Sequence, residues 1–221
     1  RSNQQAFTMC FAIDHNEGEN HTIDRPREYE FWKKFIPEVT PPWPGRLLNF
    51  NYTHPSSGRS KRLGFNPTGP HQTGIVNLWT YRRILAAKNF LPQSGLKDIS
   101  LINWPQNDYL LGNLVDVTRE EQKHHIARAK QLSLSLLYWL QTEAPRDDGG
   151  QGWPGLRLRN DIMGTSDGLA KYPYIRESRR IKALKTILEQ HCGVKNRMQI
   201  KGVNDAKGLR AKSYPDSVGI G

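Results

Sequence analysis

The chain has 221 residues, of which 32 are Lys or Arg and 21 are Asp or Glu, for a net charge of +11. Its longest apolar run, Ala6–Ile13, is far short of the ~20 residues of a membrane-spanning helix. Two cysteines, Cys10 and Cys192, exclude a disulfide-dense scaffold and a four-cysteine cluster built from this chain alone.

In chain order, Ala6–Ile13 is nearly continuous apolar and β-prone, which predicts one strand buried on both faces. Asp24 as N-cap and Pro26 in the first turn predict a short amphipathic helix over 26–36, with Tyr29, Trp32, Lys33 and Ile36 at helical spacing. Pro37 ends it, and the run Pro41-Pro42-Trp43-Pro44-Gly45 excludes helix beyond. Leu48, Phe50 and Tyr52 alternate with polar neighbours at the period of a half-buried strand. Further strands are expected near 60–66, 75–84 and 97–103, so the short strands and their turns suggest a mostly antiparallel sheet.

Thr118 and Glu121 have capping-box spacing ahead of a helix expected over Thr118–Glu143. Its apolar face, from Ile126 through Leu132, Leu136 and Leu140, widens toward the C-terminal end. Residues 144–173 hold six Gly and three Pro and read as one long ordered loop. The resulting class is α+β, a mostly antiparallel sheet with packed helices.

Three groups of residues are candidates for chemistry. Trp-Pro occurs at Trp43, Trp104 and Trp153, each Trp held on an extended segment by the following Pro. These are either aromatic walls around a flat ligand or sugar, or plugs under irregular loops. Asn103-Trp104-Pro105-Gln106-Asn107-Asp108-Tyr109 gathers amides, a carboxylate and a phenol just past a strand end, where binding groups concentrate; turn formation explains the same residues. Pro173–Ile181 converges guanidinium groups from Arg176, Arg179 and Arg180, suited to a carboxylate, phosphate or oxyanion. As a helix it puts Arg176, Arg179 and Arg180 on one face, and as a strand Arg176 and Arg180; a solvated charged face with a local Glu–Arg pair explains the same residues. The histidines are scattered and imply no metal site, and neither a phosphate-cradling glycine loop nor a nucleophile elbow is present.

Ile102–Tyr109 (INWPQNDY), Ala129–Leu140 (AKQLSLSLLYWL) and Gly168–Ile181 (GLAKYPYIRESRRI) resemble a bacterial family of FAD-dependent oxidoreductases, distantly related to heterodisulfide reductase A-type flavoproteins. The similarity runs over essentially the whole chain, and R-E-S-R-R is its most specific mark. The resemblance implies that residues 1–221 are the substrate or cap region of a two-part, Rossmann-like, glutathione-reductase-type flavoprotein. The chain carries neither the N-terminal G-x-G-x-x-G segment nor the C-terminal flavin-completing segment, and with no initiator Met it reads as a piece of a longer protein. FAD would be bound mainly by parts outside it, and the isolated piece would be inactive.

Under that resemblance Arg176, Arg180 and Tyr109 are the expected catalytic residues. Asn103, Trp104, Asn107, Asp108 and His54 would bind a small-molecule substrate, and Tyr174, Arg176, Glu177 and Arg179 would face the cofactor. Whether 182–190 is strand or helix stays open. A basic nucleic-acid-binding module and a carbohydrate-binding domain built on the Trp-Pro loops are the alternatives. A pI near 9.8 invites the first. Against it, residues 171–212 hold twelve Lys or Arg against three Asp or Glu, so +9 of the +11 is local to that segment, and the Lys and Arg of the most basic region lack interleaved aromatics.

Overall fold

The computed structural model describes residues 5–54, 57–69, 74–176, 182 and 184. Within them the apolar run near the N-terminus is the centre of the molecule. It forms two strands, β1 (Phe7–Thr8) and β2 (Phe11–His15), instead of the single expected one. The break has a physical cause. The Met9 carbonyl leaves the ladder to accept hydrogen bonds from Ser133 Oγ at 2.7 Å and Asn107 Nδ2 at 3.4 Å, and the Cys10 carbonyl accepts from the Ala170 amide at 2.7 Å. Buried backbone groups must be paired, and here side chains and a distant loop pair them in place of a neighbouring strand.

The remaining elements follow as α1 (Tyr29–Lys34), β3 (Asn51–Thr53), β4 (Ser60–Arg62), α2 (Leu78–Tyr81), β5 (Arg83–Leu85), β6 (Ile99–Ile102), β7 (Asp108–Tyr109), α3 (Arg119–Thr142), β8 (Leu156–Leu158), α4 (Asn160–Met163) and β9 (Tyr174–Ile175). They make a three-stranded sheet in the order β7-β1-β9, a four-stranded sheet in the order β5-β6-β2-β8, and the hairpin β3-β4. Every strand pair is antiparallel. The α+β class with a mostly antiparallel sheet is therefore found. Residues Phe7–Asp14 are all buried because β1 and β2 are interior strands with neighbours on both edges.

Several boundaries are corrected. Asp24 does not cap α1; Glu28 occupies the N-cap without a side-chain bond, and the helix is shorter than 26–36. In place of a strand over 75–84, Asn77 caps α2 by accepting the Trp79 amide at 2.9 Å and also donates to the Asn66 carbonyl. This local side-chain bond competes with strand geometry and wins. The alternation at Leu48 and Phe50 reports burial, but the strand itself begins only at Asn51. The stretch 144–173 is not featureless, since it contains β8 and α4.

The long helix α3 agrees with its expected span to within one residue, with Thr118 and Glu121 forming the capping box. Its face Ala129, Leu132, Leu136, Leu137 and Leu140 is fully buried, each leucine contributing about 2 kcal/mol of burial. One contiguous core joins this face to α1 through Trp32, to the central strands through Phe7, Phe11 and Ile13, and to the loops through Phe65, Trp104 and Trp153. Among the described residues no helix is long and apolar enough to cross a membrane.

Candidate functional site

The three-stranded sheet has two unlike faces. Register pairs Phe7 with Tyr109 and Ile175, and Thr8 with Asp108 and Tyr174. Side chains alternate along a strand, so Phe7 and Tyr109 point into the core while Thr8, Asp108, Tyr174 and Arg176 share the opposite, polar face.

Arg176 organises that face. Its guanidinium donates to Asp108 Oδ1 at 2.9 Å and to Asn103 Oδ1 at 3.3 Å, and lies 5.3 Å from the centre of the Tyr174 ring. Thr8 Oγ1 donates to the same carboxylate oxygen of Asp108. A second guanidinium, Arg82, donates through Nε to the Asn103 carbonyl at 3.1 Å. Asp108 and Arg176 are each about one-fifth exposed, so the pair sits at the rim of the fold, desolvated enough for its geometry to be fixed. Cys10 lies in the field of the same groups. Burial raises its thiol, the Asp108 carboxylate raises it further, and Arg176 and Arg82 oppose this, leaving it pushed up to about 11.

Four expected site residues therefore come together: Asn103, Asp108, Tyr174 and Arg176. Others do not join them. Trp104 is wholly buried, 5.7 Å from Phe65, and serves the core. Asn107 is buried as a structural bridge, accepting the Trp104 amide at 2.9 Å and donating to the Met9 carbonyl. Tyr109 points to the other face, where its ring packs on Phe7 and Trp32 and its hydroxyl shares a 2.9 Å hydrogen bond with Nδ1 of His125. Burial holds the Tyr109 phenol above its ordinary pKa and the His125 imidazole below its own. His54 belongs to the β3-β4 hairpin, its amide bonded to the Arg59 carbonyl, and is not part of the cluster. Glu177, Arg179, Arg180 and the 182–190 alternative lie outside the described residues, apart from the isolated positions 182 and 184.

Thr8, Cys10 and Arg82 are the members that sequence reasoning missed. Thr8 and Cys10 carried a signal, since they sit two apart in an extended run. It was masked because the whole run is buried. Arg82 carried none, because its place depends on how the turn after α2 meets the end of β6. The three Trp-Pro motifs do not form a common wall. Trp104 and Trp153 instead converge on Phe65, at 5.7 and 4.8 Å.

The described residues lack the elements that hold a dinucleotide. A pyrophosphate cradle needs a parallel strand, turn and helix with free N-terminal amides. Here every strand pair is antiparallel, and the N-terminus of α3 is closed by its own Thr118 and Glu121. These residues do not fit the nucleotide half of FAD. No group of three or more His, Cys, Asp or Glu among them is placed to hold a metal ion.

No curated protein and no solved structure matches the chain. The sequence model for FAD dependent oxidoreductases, however, matches residues 1–221, the full length. That match covers the polar sheet face and the α3 core alike, and the mixed, mostly antiparallel fold accords with it. The chain belongs to the FAD-dependent oxidoreductase family.

Proposed function

We propose that this chain supplies the substrate-binding region of a flavoprotein oxidoreductase, and that the polar face of β7-β1-β9 is the wall that meets an anionic or oxygen-bearing substrate. The observation that carries this reading is the clamped guanidinium of Arg176, bound by Asp108 and Asn103 and backed by Tyr174. A cation held by a carboxylate, an amide and a ring costs little reorganisation when charge develops beside it. Arg82 adds a second positive group within one residue of the same site, so the face carries two guanidinium groups against one carboxylate. Asp108 and Asn103 are positioning residues in this scheme. FAD is the cofactor that family membership implies, and it supplies the redox chemistry. The nucleotide half finds no cradle among the described residues, so the part assigned to them is binding and charge.

The test uses the full-length, FAD-loaded protein and its own reductant in stopped-flow. Arg176→Ala is expected to slow flavin reduction about 100-fold, with Arg176→Lys intermediate because a point charge replaces a planar fork. Unchanged reduction in both variants removes Arg176 from this role.

A further inference from the structure

A separate cleft opens at the far end of β2, roughly 17 Å along the strand from Cys10 at ~3.3 Å per residue. It has a volume of about 320 Å³. That is at the lower end of the ~300–1,000 Å³ of small-molecule pockets. Its walls come from residues 15–20, Thr68 and 146–155. We propose that this cleft binds a neutral polyhydroxylated molecule of one or two sugar rings, with His15 and Glu17 as its principal hydrogen-bonding groups.

The rim is built. The Asn16 amide donates to the Gly155 carbonyl at 2.8 Å and the His21 amide to the Pro154 carbonyl at 2.8 Å. A Cβ on Gly155 would overlap the Asn16 carbonyl, so the 153–155 segment lies directly on the end of β2. Arg146 is held by two bonds to Asp148, at 3.1 and 2.5 Å, and by the Gly152 carbonyl.

Several polar groups that this frame presents keep hydrogen-bonding capacity for a ligand. The half-buried His15 ring and the Glu17 carboxylate make no hydrogen bond or ion pair among the described residues. Burial holds the His15 imidazole below its ordinary pKa, against the pull of Glu17 and Asp14, so at pH 7 it offers one donor and one acceptor. Asn20 uses its Oδ1 for the Thr22 amide and keeps its NH₂ for a ligand. Thr68 Oγ1 donates to Asn66 Oδ1 at 3.4 Å and keeps its lone pairs for a ligand hydroxyl.

Charge selects the ligand class. At His15 the carboxylates of Glu17 and Asp14 are opposed by Arg146 and Lys97, and Arg146 is itself paired with Asp148, so the cleft favours neither an anion nor a cation. A cation would want the Trp153 face, but the Arg146 guanidinium already occupies it at 5.9 Å and Trp153 is only 4% exposed. Neutral hydroxyls remain. They donate to Glu17, His15 and Thr68, accept from Asn20, and rest their C–H face on Pro154.

Saturation-transfer difference NMR on the full chain tests this with D-glucose, D-galactose and maltose, beside D-glucuronate and D-glucosamine. Transfer to at least one neutral sugar is expected, weakened about tenfold by Glu17→Gln and by His15→Ala, the worth of a lost hydrogen bond to a charged or buried partner. It should survive Arg176→Ala, which separates this cleft from the sheet face. No transfer to any of the three neutral sugars, transfer unaltered in both cleft variants, or stronger binding of glucuronate or glucosamine than of glucose overturns the proposal. Circular dichroism of each variant identifies a folding defect, and Thr68→Val then serves as the second probe.

Discussion

At the scale of single residues, the most constrained group is Asp14. Its side chain is fully buried, and its carboxylate accepts from Arg157 at 2.6 and 3.1 Å and from Arg159 at 2.8 Å. Burial raises its pKa, but the hydrogen bonds and charges of the two arginines outweigh that and hold it below the ordinary value. A depressed folded-state pKa means the stabilisation is complete above the unfolded pKa near 4 and is lost as pH falls through the folded value. Asp14→Asn is therefore expected to cost about 3 kcal/mol in urea unfolding at pH 7, because two guanidinium groups lose their shared partner. The gap between variant and parent should shrink in acid; an equal gap at pH 7 and pH 2 contradicts this account. Cys10 makes the opposite case. With its thiol pushed up to about 11, it is protonated at pH 8. Iodoacetamide should label it slowly in folded Cys192→Ser protein and rapidly in urea. Prompt stoichiometric labelling of the folded protein would show that the thiol is neither buried nor raised.

At the scale of elements, α3 and the loop that follows it behave as one unit. The helix was legible in the sequence because its cap and its apolar face are local signals, three to four residues apart. Thr118→Ala removes the acceptor for the Glu121 amide and should lower unfolding free energy by about 1 kcal/mol. How the loop docks on the helix was not legible. Gly152 has φ +67°, and a Cβ there would overlap the carbonyl of Gln141 in the last turn of α3. Its neighbour Trp153 donates its amide to the Leu140 carbonyl at 2.9 Å. Gln141 in turn donates to the carbonyls of His21 and Leu156, so one helix end fixes two segments, 21–23 and 152–156. Gly152→Ala is expected to lower Tm by more than Thr118→Ala does, since it combines backbone strain with a backbone overlap. A Tm equal to the parent's would mean the loop does not dock on α3.

At the scale of the whole molecule, both sheets share the run Phe7–His15 and one core reaches every layer. Unfolding should be cooperative, with tryptophan fluorescence and far-UV circular dichroism giving coincident urea transitions. Two resolved transitions would divide the core described here. The sequence by itself determined the α+β class, the long capped helix, the buried N-terminal run and the family, since each rests on local periodicity or on short motifs. It also offered Asn103, Asp108, Tyr174 and Arg176 as candidate site residues. Only the tertiary structure decided that they meet, that Tyr109 turns away from them, that Trp104 and Asn107 serve the core, and that the N-terminal run divides at Met9. Those outcomes depend on strand register and on partners as far apart in the chain as Met9 and Ser133 or Asp108 and Arg176. A one-residue shift in register reverses which face every side chain occupies, and no local pattern fixes that choice where a strand is buried on both sides.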